Sequence, residues 1–248
     1  MTSSLVNGGS KSIVGCTSSG GTESIILAAK AHKTYYKKKF GINNPEIIAC
    51  YTAHAGIEKA CDMLDIRLVR VGFDSNFKID PIGVKKLITS NTIMIYSSAP
   101  NFPQGVIDPI EELSELAVEY GVGLHVDCCL GGFILPFAKR LGYDVPSFDF
   151  TLPGVTSMSL DTHKYGYASK GTSVVLYRNK VRGYFLVKNM HKHDLYLDLL
   201  CICWKGASSF AILHLFQVDG RVVCYTNNCR IATRCATCLC MVSSRINA

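Results

Sequence analysis

Between residues 22 and 180, short runs that are apolar on both faces alternate with segments of helical period, and this alternation constrains the chain more than any other feature. Thr22 to Phe40 has Ile25, Ala29, His32 and Tyr36 on one face, and Gly41 supplies the stop. Glu46 to Cys50 is too short and too uniformly apolar for a surface helix and reads as a buried strand. Ile57, Ala60, Cys61 and Leu64 mark a second helix, Ile66 to Val71 a strand, Val84, Leu87 and Ile88 a third helix, and Thr92 to Ser97 another strand. Ile110, Leu113, Ala117 and Tyr120 make a fourth helix, whose Glu111, Glu115 and Glu119 form a solvated side. Strands follow at Val122 to Asp127, Val155 to Leu160 and Thr172 to Tyr177. Buried strands alternating with helices imply an α/β fold: a mainly parallel sheet covered on both faces. In such sheets ligands collect beyond the carboxyl ends of the strands, so the chemistry is to be sought in the loops that follow them.

The rest of the composition narrows the function classes. The net charge of +7 is moderate. Lys37, Lys38 and Lys39 end a helix, where the macrodipole favours cations. No stripe of aromatic and basic residues marks a nucleic-acid surface, so no nucleic-acid partner is expected. The N-terminus lacks an apolar run after a basic start, and the most apolar later stretch, Leu195 to Val218, is broken by Asp198, Lys205 and Gly206. Without a secretory signal, the twelve cysteines are expected to be reduced thiols. Beyond about Val181 the character changes: no proline follows Pro153, no glutamate follows Glu119, and seven of the twelve cysteines fall in the last forty-eight residues. Cys235, Cys238 and Cys240 have metal-like spacing but no clean second pair among His214, Cys224 and Cys229, so no metal is assigned. The expected organisation is a lead-in at 1–15, one large domain at 16–180, and an atypical cysteine-rich tail at 181–248 that is not native to the fold.

Four segments carry candidate chemistry. Ser18 to Ser24 opens the first helix, and its Gly20 and Gly21 allow backbone N–H groups to approach an anion at the helix N-terminus. Ser19 and Thr22 add hydroxyl donors, although such residues also serve as plain caps. Asp127 ends a strand two residues after His125 and shortly before Gly131 and Gly132. It either caps the loop or pairs with a protonated heterocyclic nitrogen. Asp161 to Gly166 places Lys164 in a glycine-rich, aromatic-flanked loop beyond a buried strand, where desolvation would lower its pKa and free it to form a Schiff base. His54, between Ala53 and Ala55, either lies over a planar ring or begins the next helix. Together the four supply what pyridoxal phosphate needs: a phosphate cradle, a pyridinium partner, a Schiff-base lysine and a stacking group.

With these residues in view, the run from Cys16 to Asn179 resembles the sphingosine-1-phosphate lyases of the group II pyridoxal-dependent decarboxylase superfamily. The carrying motifs are SSGGTES at 18–24, FPQGVIDPIEEL at 102–113, HVDCCLGGF at 125–133 and GVTSMSLDTHKYGYASKG at 154–171. The double glycine, HVD and DTHKYG are shared in kind with the wider superfamily, while KYGYASKG and GVIDPIEEL point to the lyase branch. The resemblance implies a fold-type-I pyridoxal-phosphate transferase-like large domain. It implies that Lys164 holds the cofactor covalently, that Asp127 keeps the pyridine nitrogen protonated, and that His54 stacks on the ring. Gly20, Gly21 and Thr22 would hold the cofactor phosphate with His163 close by, and Lys170 would contact the substrate phosphate. The implied reaction is retro-aldol cleavage of the C2–C3 bond of a phosphorylated long-chain base, giving a fatty aldehyde and phosphoethanolamine.

The sequence also departs from the family. Gln104 stands where relatives usually carry histidine, and Cys128 where many carry alanine beneath the ring. The family's long N-terminal region, with a membrane anchor in eukaryotic members and part of a homodimer contact, is not recognisable here, nor is its small C-terminal domain. Full-length members would therefore sit at the endoplasmic reticulum membrane, and this chain alone in the cytosol with little or no activity. Two other readings stand beside the lyase: an amino-acid decarboxylase of the same superfamily, which the KYGYASKG loop argues against, and a non-catalytic truncated fragment.

Overall fold

In the computed structural model, residues 2–9, 13–102, 104–178, 214–218 and 221–225 are described. The elements in chain order are α1 (Thr2–Leu5), β1 (Val14–Ser18), α2 (Gly21–Phe40), β2 (Glu46–Cys50), α3 (Gly56–Met63), β3 (Arg67–Val71), α4 (Pro81–Leu87) and β4 (Thr92–Ser98). They continue as α5 (Ile110–Tyr120), β5 (Gly123–Asp127), α6 (Leu135–Arg140), β6 (Val155–Leu160) and β7 (Ser173–Tyr177), with a separate antiparallel hairpin β8 (His214–Val218) and β9 (Arg221–Tyr225). The first seven strands form one sheet in the order β1-β7-β6-β5-β4-β2-β3. Neighbours from β3 to β6 are parallel, while β7 runs antiparallel to both β6 and β1.

Every residue of β2, β4, β5 and β6 is buried, as expected of strands covered on both faces. Alternation along each strand divides the side chains between two layers. Ile48, Ile95, Leu124, Val126 and Met158 join Val84, Ile110, Leu113 and Ala117 of α4 and α5 in one continuous apolar core. On the other face, α2 packs across the sheet. Its His32 is fully buried, bridges the Ala28 carbonyl at 2.8 Å and the Thr156 hydroxyl at 2.9 Å, and leaves no room for a side chain at Gly123. The helix ends where Gly41, at φ 71°, turns left-handed and donates its N–H to Lys37, and Lys37 to Lys39 occupy the last turn.

Two features lie outside the expected pattern. The lead-in is part of the packing: Val6 is fully buried in the core, the Asn7 amide donates to Asp149 at 2.7 Å, and β1 zips along β7. The short helix α6, with Pro136 in its first turn, was not expected either. The chain divides into two compact units, Met1–Asn189 and Met190–Ala248. The anticipated boundary near residue 180 and the tail cysteines Cys229, Cys235, Cys238 and Cys240 lie outside the described residues. Cys16, Cys50, Cys61, Cys128 and Cys129 have free thiols.

The loop leaving β4 is held by a buried acid. Asp108 accepts from the backbone N–H of Ser98 at 2.7 Å and of Ile79 at 3.1 Å, and the Ala99 N–H donates to the Asp127 carbonyl at 2.8 Å. Gly131 fits beneath this loop because it lacks a side chain; a Cβ there would lie 2.2 Å from the Ala99 carbonyl oxygen. Burial outweighs the two N–H donors and pushes the Asp108 carboxyl from 3.8 up to about 6. A carboxyl raised in the folded state contributes stability below its unfolded pKa and loses it as pH rises through the folded pKa. The window is therefore 3.8 to about 6, and the expected loss is about 3 kcal/mol. Urea unfolding at the two ends of that window should show this loss in the native chain and a smaller one in Asp108→Asn.

Candidate active site

The loops beyond the carboxyl ends of β4, β5 and β6, the first turn of α2 and the segment entering α3 enclose a cavity of about 590 Å³. Ser19, Gly20, Gly21, Thr22, His54, Asp127, His163, Lys164 and Lys170 all line it, so the fold brings every candidate residue to one place. The volume lies within the roughly 300–1,000 Å³ usual for small-molecule sites.

The α2 side is a cradle of backbone and hydroxyl groups. Gly20 has open space around it, whereas Gly21 must be glycine: a Cβ would lie 2.8 Å from the Cys129 sulfur and 3.0 Å from the Asp161 carboxylate. A chain of hydroxyls ties this turn to the sheet, with Ser18 to Ser24 at 2.6 Å, Ser24 to Ser173 at 2.9 Å, and Ser173 to the Leu160 carbonyl at 3.2 Å. Ser19 was expected to offer its hydroxyl to an anion. It donates that hydroxyl at 2.5 Å, and its N–H at 2.6 Å, to Glu23 instead. Thr22 and the glycine backbone remain at the cavity wall.

Asp127 closes β5 at the cavity floor. One carboxylate oxygen accepts from the fully buried Tyr96 hydroxyl. The other accepts from the Cys129 N–H at 2.9 Å and the Ser159 hydroxyl at 3.3 Å. Burial alone would raise its pKa, but these donors prevail and hold it below the ordinary carboxylate value. His125, two residues earlier, lies between the Ser157 and Ser159 hydroxyls at 2.8 and 3.3 Å, and burial lowers its pKa to about 4, leaving it neutral.

Lys164 sits in a loop closed on itself. Thr162 donates to Thr172, His163 Nδ1 donates to the Thr172 carbonyl at 2.6 Å, and the Ala168 N–H returns to Thr162. The lysine is not the desolvated, low-pKa amine expected from sequence. Its side chain is 38% exposed and pairs with Asp161 at 2.9 Å. Partial burial lowers its pKa, but the Asp161 anion more than offsets this and the net shift is upward. His54 sits just before α3, where its Nδ1 accepts from the Gly56 N–H at 2.9 Å, and it lines the cavity.

A further expectation is corrected. Cys128 is fully buried in the apolar core, and the cysteine on the cavity wall is Cys129. Strand alternation is the reason: 124, 126 and 128 face the core, and 125, 127 and 129 face the other side. Gln104 is exposed and does not line the cavity; Phe102 of the same loop does. Sequence reasoning missed Tyr96, a strand residue with no motif around it, and Glu23, which lay inside the quoted SSGGTES run.

Comparison with known proteins agrees with this geometry. The family described as "Pyridoxal-dependent decarboxylase conserved domain" matches residues 3–200. The chain is 54% identical over 181 residues to sphingosine-1-phosphate lyase of Dictyostelium discoideum, covering 73% of this chain and 34% of the relative. It is 55% identical over 167 residues to that of Arabidopsis thaliana, covering 67% and 31%. It thus spans about a third of the length of these curated relatives. Among solved structures, the sphingosine-1-phosphate lyase of Burkholderia pseudomallei superposes with a TM-score of 0.72 at 36% identity, over 91% of this chain and 48% of that one. A sheet of this order, a cavity beyond its carboxyl edge and a family match across most of the chain have one reading: the chain belongs to the pyridoxal-dependent decarboxylase family, whose cofactor is pyridoxal phosphate.

Proposed function

We propose that the chain is the cofactor-binding part of a carbon–carbon lyase that cleaves sphingosine or sphinganine 1-phosphate to a fatty aldehyde and phosphoethanolamine. The observation that carries this is the convergence of nine candidate residues on one cavity, in a chain whose aligned residues, about two-thirds to three-quarters of it, are over half identical to such lyases. Pyridoxal phosphate, when bound, supplies an aldehyde for a lysine and a ring that takes up the electron pair of the broken C2–C3 bond.

The residues divide the remaining work. Lys164 would hold the cofactor covalently through its side-chain amine. Asp127, kept anionic by its three donors, keeps the pyridine nitrogen protonated. His54 is oriented by Gly56 and stacks on the ring. Gly20, Gly21 and Thr22 hold the cofactor phosphate, with His163 beside it, and Ser19 contributes by bracing the turn through Glu23. Lys170, exposed and lining the same cavity, would take the substrate phosphate. The homodimer and the endoplasmic reticulum membrane location of full-length members belong to the same proposal. Among the described residues no helix is long and apolar enough to cross a membrane.

Incubation of the cofactor-loaded chain with a phosphorylated long-chain base should release aldehyde, and Lys164→Ala should abolish that release. Carbon dioxide released from an amino acid, with no aldehyde from the long-chain base, would transfer the reading to the decarboxylases.

A further inference from the structure

The loop after β6 carries a buried acid that the roles above do not use. The Asp161 side chain is only 3% exposed. One oxygen pairs with Lys164 at 2.9 Å and lies 3.8 Å from His163 Nε2, while the other is buried without a hydrogen-bond partner. A buried carboxylate oxygen left unsatisfied is uncommon in a folded protein and calls for a reason. The first turn of α2 abuts it through Gly21, where a Cβ would lie 3.0 Å from the carboxylate.

We propose that Asp161 is a positioning residue that holds the Lys164 side chain as an ammonium against the cavity wall and thereby governs how readily its amine attacks an aldehyde. Attack needs the free amine. The ammonium first loses a proton to solvent, which its partly exposed side chain can reach. The nitrogen then bonds to the aldehyde carbon, and the two remaining amine hydrogens leave with the carbonyl oxygen as water. Asp161 opposes the first of these steps and fixes where the amine stands when it is taken. The other charged and titratable groups facing the pair are Asp127 and Cys129 from the end of β5, His163 and Lys170 from the same loop, Glu23 from α2 and His54 before α3. Of these, Asp127 acts on Lys164 in the same direction as Asp161, but more weakly, while burial keeps the Cys129 thiol neutral.

The role of Lys164 as the Schiff-base lysine belongs to the proposed function, but the pairing is measurable without cofactor. Reductive methylation of the intact chain with formaldehyde and cyanoborohydride, mapped peptide by peptide across a pH series, reads the free-amine fraction of each lysine. Lys164 should become reactive at higher pH than the exposed Lys59, and Asp161→Asn should move its profile downward. The rate at a fixed neutral pH then rises about tenfold for each pKa unit lost. A Lys164 profile that coincides with or precedes that of Lys59 in the native chain overturns the proposal, even if the variant fails to fold. So does a profile that Asp161→Asn leaves in place. Borohydride trapping with the cofactor answers the separate question of which lysine it uses.

Discussion

Borohydride added after incubation with pyridoxal phosphate should fix the pyridoxyl group on Lys164, and replacing that residue should remove the label. Two lysines line the cavity, Lys164 and Lys170, so the result discriminates. Lys164 is placed by a loop closed through Thr162, His163 and Thr172, and its ammonium feels Asp127 across the cavity. Lys170 is exposed in the stretch before Gly171, whose φ of 88° turns the chain back toward β7. Alanine at 164 removes the amine but also strips Asp161 of its cation. That costs on the order of 1 kcal/mol once solvent screening of the partly exposed lysine is allowed for. Arginine keeps the cation and forms no Schiff base, so Lys164→Arg should fold as the native chain does and still take no label. Turnover should fall roughly 10³-fold or more in either variant. Label found chiefly on Lys170 would reassign the covalent site.

Much of this arrangement was legible in the sequence because it rests on local rules. Helix α2 ends at Gly41 for the reason its sequence announces, and β2, β4, β5 and β6 fall within a residue or two of their apolar runs. The failures also have physical causes. Strand β1, Val-Gly-Cys-Thr-Ser, is an edge strand with only one covered face; without a continuous apolar run it read as lead-in and loop. The reversed direction of β7 is invisible to hydrophobic pattern, which is the same for either orientation. The clue was topological: twelve residues with no helix separate β6 from β7, whereas a parallel return needs a crossover, usually helical. Cys129 rather than Cys128 reaches the cavity because the alternation of β5 continues past Asp127. Burial alone implies a lowered pKa for Lys164, but Asp161, three residues earlier in the same loop, turns the shift upward. Pattern shows which residues lie near the site; charge balance there depends on partners that only the folded loop brings together.

Replacing Asp127 should have the largest effect of any change at the cavity floor, and two substitutions separate its structural and chemical parts. The carboxylate receives three hydrogen bonds, from the Tyr96 hydroxyl, the Cys129 N–H and the Ser159 hydroxyl. Asp127→Ala leaves these largely buried donors facing an apolar methyl. The unmade bonds cost about 1–3 kcal/mol each, offset in part where hydroxyls can turn to other acceptors, for a net loss of ~3 kcal/mol or more. Asp127→Asn keeps an oxygen for Cys129 and Ser159 and offers its amide to the rotatable Tyr96 hydroxyl, so stability should change by only about 1 kcal/mol. What asparagine cannot supply is the negative charge. If a protonated ring nitrogen is its partner, losing a buried ion pair worth ~3–5 kcal/mol should slow cleavage by about 10²–10⁴-fold. Affinity for the phosphate end of the cofactor should change little, because Gly20, Gly21 and Thr22 lie on a different wall. Equilibrium unfolding, cofactor binding and product release on the same two variants give the test. A folded Asp127→Asn chain that releases aldehyde at the native rate would leave Asp127 as a loop cap and remove it from the chemistry.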